Sequence, residues 1–374
     1  MESFISAVWS SLFVFPIIAA VFTLPYILFQ YNKYGSILLV RVIIIYSFVY
    51  YLLASYFLAI LPIPPLELVG EFEGLAINLI PFSFVKEVIL DPSSQSLEGW
   101  KILELFSDFR ILEPILNIIM FIPLAIYLRY YFQLNFKQTI LLSFALSLFF
   151  EISQISGLFG IYPKPYRIFD INDLIANTLG GIVGYLITPL VTTLLPSREK
   201  IEQISYIKGQ NVTLARRTFA WFIDVFLVLL FMLIYNLFMN ESYFIITWMV
   251  VTFVYFVSIP FLTKQTIGKW IVQIKTDSLA DNRFNIFARD LIIFLLNFNL
   301  WSIMLLLIPN LHIEIALTVQ FIYLFMIFIH VVSCLFKQER VLWYEKFTNT
   351  NHISTIELEE DEECETEKWT DIKI

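Results

Sequence analysis

The chain has 374 residues, 59% hydrophobic and 15% charged, with a mean hydropathy of +0.77, against roughly 45–50% apolar and 25% charged in soluble domains. No soluble fold buries that share of apolar side chain, so a water-soluble globular protein is excluded. The net charge of −8 argues against nucleic acid as a partner.

In lipid every backbone N–H and C=O needs an internal partner, so apolar runs of about 20 residues are expected to be spanning helices. Such runs lie at Ile5–Phe29, Ile37–Leu61, Pro114–Tyr131, Gln138–Leu158, Asp173–Leu195, Phe219–Met239, Tyr243–Leu262, Arg289–Ile308 and Ile313–Phe336. The expected fold is an all-α, polytopic transmembrane helical bundle of about nine spans, none conspicuously broken at mid-membrane. The first run is longer than a signal-peptide core and has no basic segment before it, so it is read as an uncleaved helix. The 38 phenylalanines are read as lipid-facing and packing bulk.

Cytoplasmic loops hold the excess of Lys and Arg. With the N-terminus outside, the inner loops carry Lys33; Arg129 and Lys137; Arg198, Lys200, Lys208, Arg216 and Arg217; and Lys264, Lys269, Lys275, Arg283 and Arg289. The outer loops carry only Lys86, Lys101, Arg110, Lys164 and Arg167. Nine spans then place the C-terminus inside, where Lys337, Arg340 and Lys346 follow the last run. In the acidic outer loop Pro64–Glu113, Trp100, Leu103, Phe106 and Phe109 recur every three residues, which predicts a short amphipathic helix in the interface. The polar stretch 197–214 is read as a cytoplasmic linker between a membrane module at 1–196, of about five helices, and one at 215–353, of about four. An acidic, disordered cytoplasmic tail is expected at 354–374.

Cys334 and Cys364 lack a C-x-x-C spacing, and His312, His330 and His352 never stand at i, i+4. There is no P-loop, dinucleotide fingerprint or catalytic-triad spacing. No metal and no cofactor are expected.

Ionisable groups at membrane depth are costly and default to functional hypotheses. In the fourth run Ser143, Ser147, Glu151 and Gln154 form one helical stripe, and in the fifth Asp170, Asp173, Asn177, Gly180 and Gly184 form another. Gly180 and Gly184 have the G-x-x-x-G spacing that lets a second helix approach closely. Either Asp170 or Asp173 is placed to cap the fifth helix. Asn117 and Asn78 are expected to join Glu151, Gln154, Arg167, Asp170, Asp173 and Asn177 on the outer side. Arg167 either neutralises these acids and ties its loop down, or belongs with them to a ligand-binding or reactive site.

The segments NLIPF at 78–82, NIIMFIP at 117–123, EISQ at 151–154 and R-x-x-D-x-x-D-x-x-x-N-x-x-G-x-x-x-G from Arg167 to Gly184 together resemble the VanZ family. That family is named for low-level resistance to the glycopeptide teicoplanin, so the resemblance implies a cell-envelope role and no particular reaction. In the rear half Arg217, Ala220 and Asp224, followed by Gly268 and Lys269, are similar to the opening pattern of the RDD family, for some members of which transport has been proposed. Near the end of that pattern an Arg is usually followed by His-Asp and Gly-Thr. Here Arg340 is followed by Tyr344, Glu345, Asn349 and Thr350, which keeps an acid but not the motif.

Asp224 stands two turns beyond Arg217 on one face and is expected to want that cation nearby. Arg216 and Arg217 are read as preceding the sixth helix. Arg289 and Asp290 are read as opening the eighth, where an Asp in the first turn suits the helix dipole.

Three functions follow as expectations. The first is an envelope protein whose outward polar pocket engages a glycopeptide antibiotic, a wall precursor or a lipid headgroup, with membrane lipids around it. The second is an ion- or proton-coupled transporter using Asp224, Arg217 and Glu151. The third is a membrane hydrolase of a lipid phosphate using Asp170, Asp173 and Glu151 as metal ligands or as acid and base.

Overall fold

The computed structural model describes residues 2–61, 77–90, 109–165, 167–193, 195–238, 244–279, 282–336 and 341–356. In chain order the helices are α1 (Glu2–Tyr34), α2 (Leu39–Ile60), α3 (Ser83–Leu90), α4 (Phe109–Tyr130), α5 (Phe136–Ile155), α6 (Ile171–Thr192), α7 (Arg198–Gln210), α8 (Leu214–Phe238), α9 (Phe244–Thr263), α10 (Ile267–Ile271), α11 (Arg283–Phe298), α12 (Leu300–Leu307), α13 (Ile313–Phe336) and α14 (Trp343–Thr348). Among the described residues eight helices are long and apolar enough to cross a membrane, or nine if α11 and α12 form one bent span. This is a multi-pass membrane protein. Phenylalanine serves both roles read for it: Phe13, Phe226, Phe321 and Phe328 face outward, whereas Phe121 and Phe150 are buried. The expected interfacial helix around Trp100–Phe106, Arg340 and residues 357–374 of the expected tail lie outside the described residues, while Ser354, expected to open that tail, ends a strand (Thr350–Ser354).

The chain forms two compact units, Met1–Thr23 with Leu39–Ile201, and Leu24–Leu38 with Glu202–Ile374. In the front unit α6 packs between α4 and α5. The carbonyls of Ile118 and Ile122 in α4 stand where side chains on Gly180 and Gly184 would be, and Ser143 of α5 abuts Gly181. The core is built from Phe121, Leu124 and Leu128 of α4 and Phe150 of α5, with Phe48, Tyr51 and Leu52 of α2 packed against it. Two short strands, β1 (Ile77–Asn78) and β2 (Phe169–Asp170), pair in parallel and set Asn78 opposite Asp170.

The polar stretch read as a linker is largely helical, as α7. In the rear unit α8 begins at Leu214, ahead of the expected Phe219, because the Thr213 hydroxyl accepts the Arg216 N–H at 3.2 Å. Arg216 and Arg217 therefore sit in the first turn of α8 rather than before it. Likewise α11 starts at Arg283, capped by Asn282, whose side chain accepts the Phe284 N–H at 2.9 Å. Asp290 is thus well inside that helix and does not serve its N-terminal dipole.

The expectation of unbroken spans fails at α11, whose end is a π turn at Ile293–Phe298 and which meets α12 at 74°. A break at membrane depth is tolerable only where the freed backbone groups are satisfied by protein. Asn299 Nδ2 donates to the Phe294 carbonyl at 3.0 Å, and the indole N–H groups of Trp248 and Trp301 both donate to that of Phe298 at 3.1 Å. Gln320 Nε2 donates to the carbonyls of Leu296 and Asn297 at 3.1 and 3.0 Å. Finally β3 (Ile274–Ser278) pairs antiparallel with β4 (Thr350–Ser354), with Thr276 opposite His352.

Candidate functional site

The parallel strand pair and the start of α6 gather the polar residues of the front unit. Asp170 caps α6: its Oδ1 accepts the Asn172 N–H at 2.8 Å, while its Oδ2 accepts Asn78 Nδ2 at 3.2 Å. The Asp170 N–H donates to Glu151 Oε2 at 2.9 Å, so a carboxylate that is 2% exposed is bound to loop backbone. Asp173, the other capping candidate, instead accepts Asn117 Nδ2 from α4 at 2.7 Å. Below it Asn177 Nδ2 donates to Ser147 Oγ at 2.8 Å. Gln154 Nε2 and Arg167 Nη1 both donate to the Ala59 carbonyl, at 2.6 and 3.2 Å, and Arg167 Nη2 pairs with Glu113 at 2.8 Å.

All eight residues read from the front sequence therefore meet at one end of the helices. Two more belong with them. Glu113, the ion partner of Arg167, was hidden as an ordinary acid ahead of a predicted helix. Asn172 accepts the Phe82 N–H at 2.5 Å and donates to Ser83 Oγ at 3.1 Å, fastening the turn after β1 to α6; its signal was a third polar residue in the Asp-Ile-Asn-Asp run. The cluster is graded: the Arg167 and Glu113 side chains are 39% and 35% exposed, while Glu151 and Asn177 are buried. Beside this mouth Leu79, Ile80 and Phe82 stand exposed.

In the rear unit the expected Asp224–Arg217 pairing does not occur. Asp224 accepts hydrogen bonds from Tyr255 OH at 2.7 Å, Thr266 Oγ1 at 2.6 Å and the Gly268 N–H at 2.7 Å. These donors neutralise its need for a cation, and Gly268 lies too close to Ala220 and Asp224 for any side chain. Arg217 instead pairs with Glu345 of α14. Glu345 also holds the Leu342 N–H at 2.8 Å and meets His352 Nδ1 at 3.1 Å. On the other side of the imidazole, His352 Nε2 is 3.2 Å from Arg289, which donates to Asp290 at 2.8 Å and to Thr276 Oγ1 at 3.0 Å. Lys269 Nζ donates to the same Thr276 hydroxyl at 2.8 Å.

Residues 48–195 match the VanZ/LLP1 family model, and residues 212–349 match that of the RDD family. The chain joins a VanZ-like module to an RDD module. No curated protein and no solved structure matches it. Both families are membrane families, so the protein is a membrane protein of the cell envelope.

The RDD module absorbs its departures from the usual pattern. Glu345 keeps the acid in a buried ion pair, and Asn349 adopts the left-handed conformation, φ 49°, at the position where the pattern has glycine. His352, in β4, brings a histidine to the acid from a strand that helix-period reading overlooks. Burial raises the Glu345 carboxyl, but the His352 ring and the charges of Arg217 and Arg289 overcome it and hold the group well below the usual carboxylate range. Burial and the same two guanidinium charges hold His352 well below its ordinary 6.5. Burial and the Arg289 charge push Lys269 down to about 8.

Among the described residues no three of His, Cys, Asp and Glu converge as metal ligands. In the VanZ-like module Asp170 and Glu151 accept backbone N–H groups and Asp173 accepts a side-chain amide.

Proposed function

We propose that the polar cluster of the VanZ-like module is an outward-facing binding site for a glycan-bearing amphiphile, with a teicoplanin-type glycopeptide the leading ligand, and that through it the protein modulates the antibiotic response. The observation that carries this is the composition of the mouth. At the rim the part-exposed Arg167 and Glu113 pair, next to exposed Leu79, Ile80 and Phe82, and behind them lie the carboxyl groups of Glu151, Asp170 and Asp173 with the amides of Asn78, Asn117, Gln154 and Asn172.

Such a set accepts amine and hydroxyl donors and offers an apolar shelf to a lipid or aromatic group. The guanidinium of Arg167 is already paired with Glu113, so a wall precursor or phosphate-bearing headgroup suits the site less well than an amine-bearing glycopeptide. Hydrolysis of a lipid phosphate is disfavoured on the same ground.

The test compares teicoplanin susceptibility and surface-bound fluorescent teicoplanin in cells expressing the full chain or its Glu113→Gln and Arg167→Gln forms at equal protein level. Loss of one charged hydrogen bond is expected to weaken binding about tenfold. Unchanged susceptibility and unchanged bound fluorescence in both variants would remove the ground for this reading.

A further inference from the structure

The cluster at the mouth is continued through the front unit by a second feature. Thr139, Ser143, Ser147 and Glu151 follow one another at steps of four along α5, and all four are buried, the three hydroxyl residues completely. At 1.5 Å per residue this stripe covers about 18 Å, more than half of a hydrocarbon core about 30 Å thick. Facing it on α6 are Asn177, bonded to Ser147, and Gly181, which abuts Ser143. Thr178 lies one turn from Gly181 on the same helix face.

Buried Ser and Thr in membrane helices ordinarily satisfy themselves on the carbonyl four residues earlier. Several in this unit do so: Ser55 on Tyr51, Ser153 on Phe149 and Thr188 on Gly184, at 2.7–2.8 Å. The hydroxyls of Thr139, Ser143 and Thr178 do not, and neither they nor the carbonyl oxygen of the Asn177 side chain has a hydrogen-bond partner among the described residues. These exceptions all belong to α5 and α6. Buried polar atoms at membrane depth need a polar partner, and water is the smallest that can supply one.

We propose that the α5–α6 seam is a proton path, in which water molecules link the hydroxyls of Thr139, Ser143 and Ser147 to the Glu151 carboxylate at the cluster. Each hydroxyl or water accepts one proton and passes on another, so protons move along the seam with no net covalent change. Ser147, held by Asn177 and 3.5 Å from the Asp173 carbonyl, is the joint between the seam and the cluster. The path is independent of which ligand the mouth binds.

The test uses the full chain in phosphatidylethanolamine–phosphatidylglycerol vesicles with an internal pH dye and a potassium-diffusion potential. Acidification several-fold faster than in protein-free vesicles is expected, returning to the protein-free rate in Thr139→Val and Ser143→Ala. Thr188→Val, which removes a self-satisfied hydroxyl, is expected to keep the wild-type rate and so controls for reconstitution. Wild-type flux equal to protein-free vesicles overturns the proposal, as does flux that Thr139→Val and Ser143→Ala leave intact. Neither result bears on glycopeptide binding, which is read in a separate assay.

Discussion

At the scale of single residues, the buried pair between Arg217 and Glu345 has consequences that differ from those of a surface salt bridge. Their side chains are 8% and 1% exposed, and removing one member leaves an uncompensated charge, which costs about 3–5 kcal/mol. Glu345→Gln is expected to lower the thermal midpoint of the detergent-solubilised protein strongly, whereas Lys264→Gln, which breaks a part-exposed pair with Asp277, is expected to cost about 1 kcal/mol or less. Equal losses in the two variants would mean that the Arg217–Glu345 pair is not the anchor of α14. The same residues set a pH dependence. His352 is held below its ordinary 6.5 in the folded state, so the unfolded chain binds the extra proton first and stability falls as pH drops below about 6.5. Glu345, whose carboxyl is also lowered from its ordinary 4.5, adds a further loss below about pH 4.5. Melting curves from pH 8 to 5 are expected to fall at the acid end, and His352→Gln to flatten that fall; a slope unchanged by the substitution would assign it to other groups.

At the scale of elements, α6 is positioned by what it lacks. Carbonyls of α4 occupy the space that side chains on Gly180 and Gly184 would need, and overpacking of such a contact costs about 1–3 kcal/mol. Gly184→Ala is expected to push α6 from α4, lower the melting temperature, and weaken the Asn117–Asp173 bond that spans the same pair of helices. A Gly184→Ala protein that melts with the wild type would mean that the helices can separate freely. This contact was legible in the sequence because G-x-x-x-G is a local spacing with one physical use. Much of the front polar cluster was legible for the same reason: Glu151 and Gln154, and Asp170, Asp173 and Asn177, repeat at helical intervals, and in lipid a polar stripe must face protein, whereas Asn78, Asn117 and Arg167 were placed by their loops and helix ends. The rear network was not. Its members come from α8, α10, α11, α14 and two strands, so no spacing connects Arg217 with Glu345 or Thr276 with His352. The misplaced Asp224–Arg217 pairing shows the limit of a one-helix argument, since two residues on one face compete with every other donor the fold supplies. The break at Asn299 was masked because its cause is capping by Trp248 and Gln320, which are remote in sequence.

At the scale of the whole molecule, strand pairing decides how many times the chain crosses the bilayer. In the RDD module β3 precedes α11 and β4 follows α13, yet the two strands are hydrogen-bonded over five residue pairs from Ile274–Ser354 to Ser278–Thr350. Both must lie on the same side of the membrane, so the chain between them crosses an even number of times. Helix α13, with 24 residues, is one crossing. The bent pair α11–α12 must then supply another and cannot return to the side it left. The same parity holds in the VanZ-like module, where β1 and β2 are paired and α4 and α5 lie between them. With α1, α2, α6, α8 and α9 the candidate spans among the described residues number nine, an odd number. The distribution of Lys and Arg then predicts an outer N-terminus and an inner C-terminus. In a background with both native cysteines replaced by serine, Asn310→Cys at the α12–α13 turn is expected to react with a membrane-impermeant thiol reagent on intact cells. Lys275→Cys in β3 is expected to react only after permeabilisation. Reaction of both in intact cells, or of neither, would place the two positions on one side and make α11–α12 a re-entrant loop, which the β3–β4 ladder forbids.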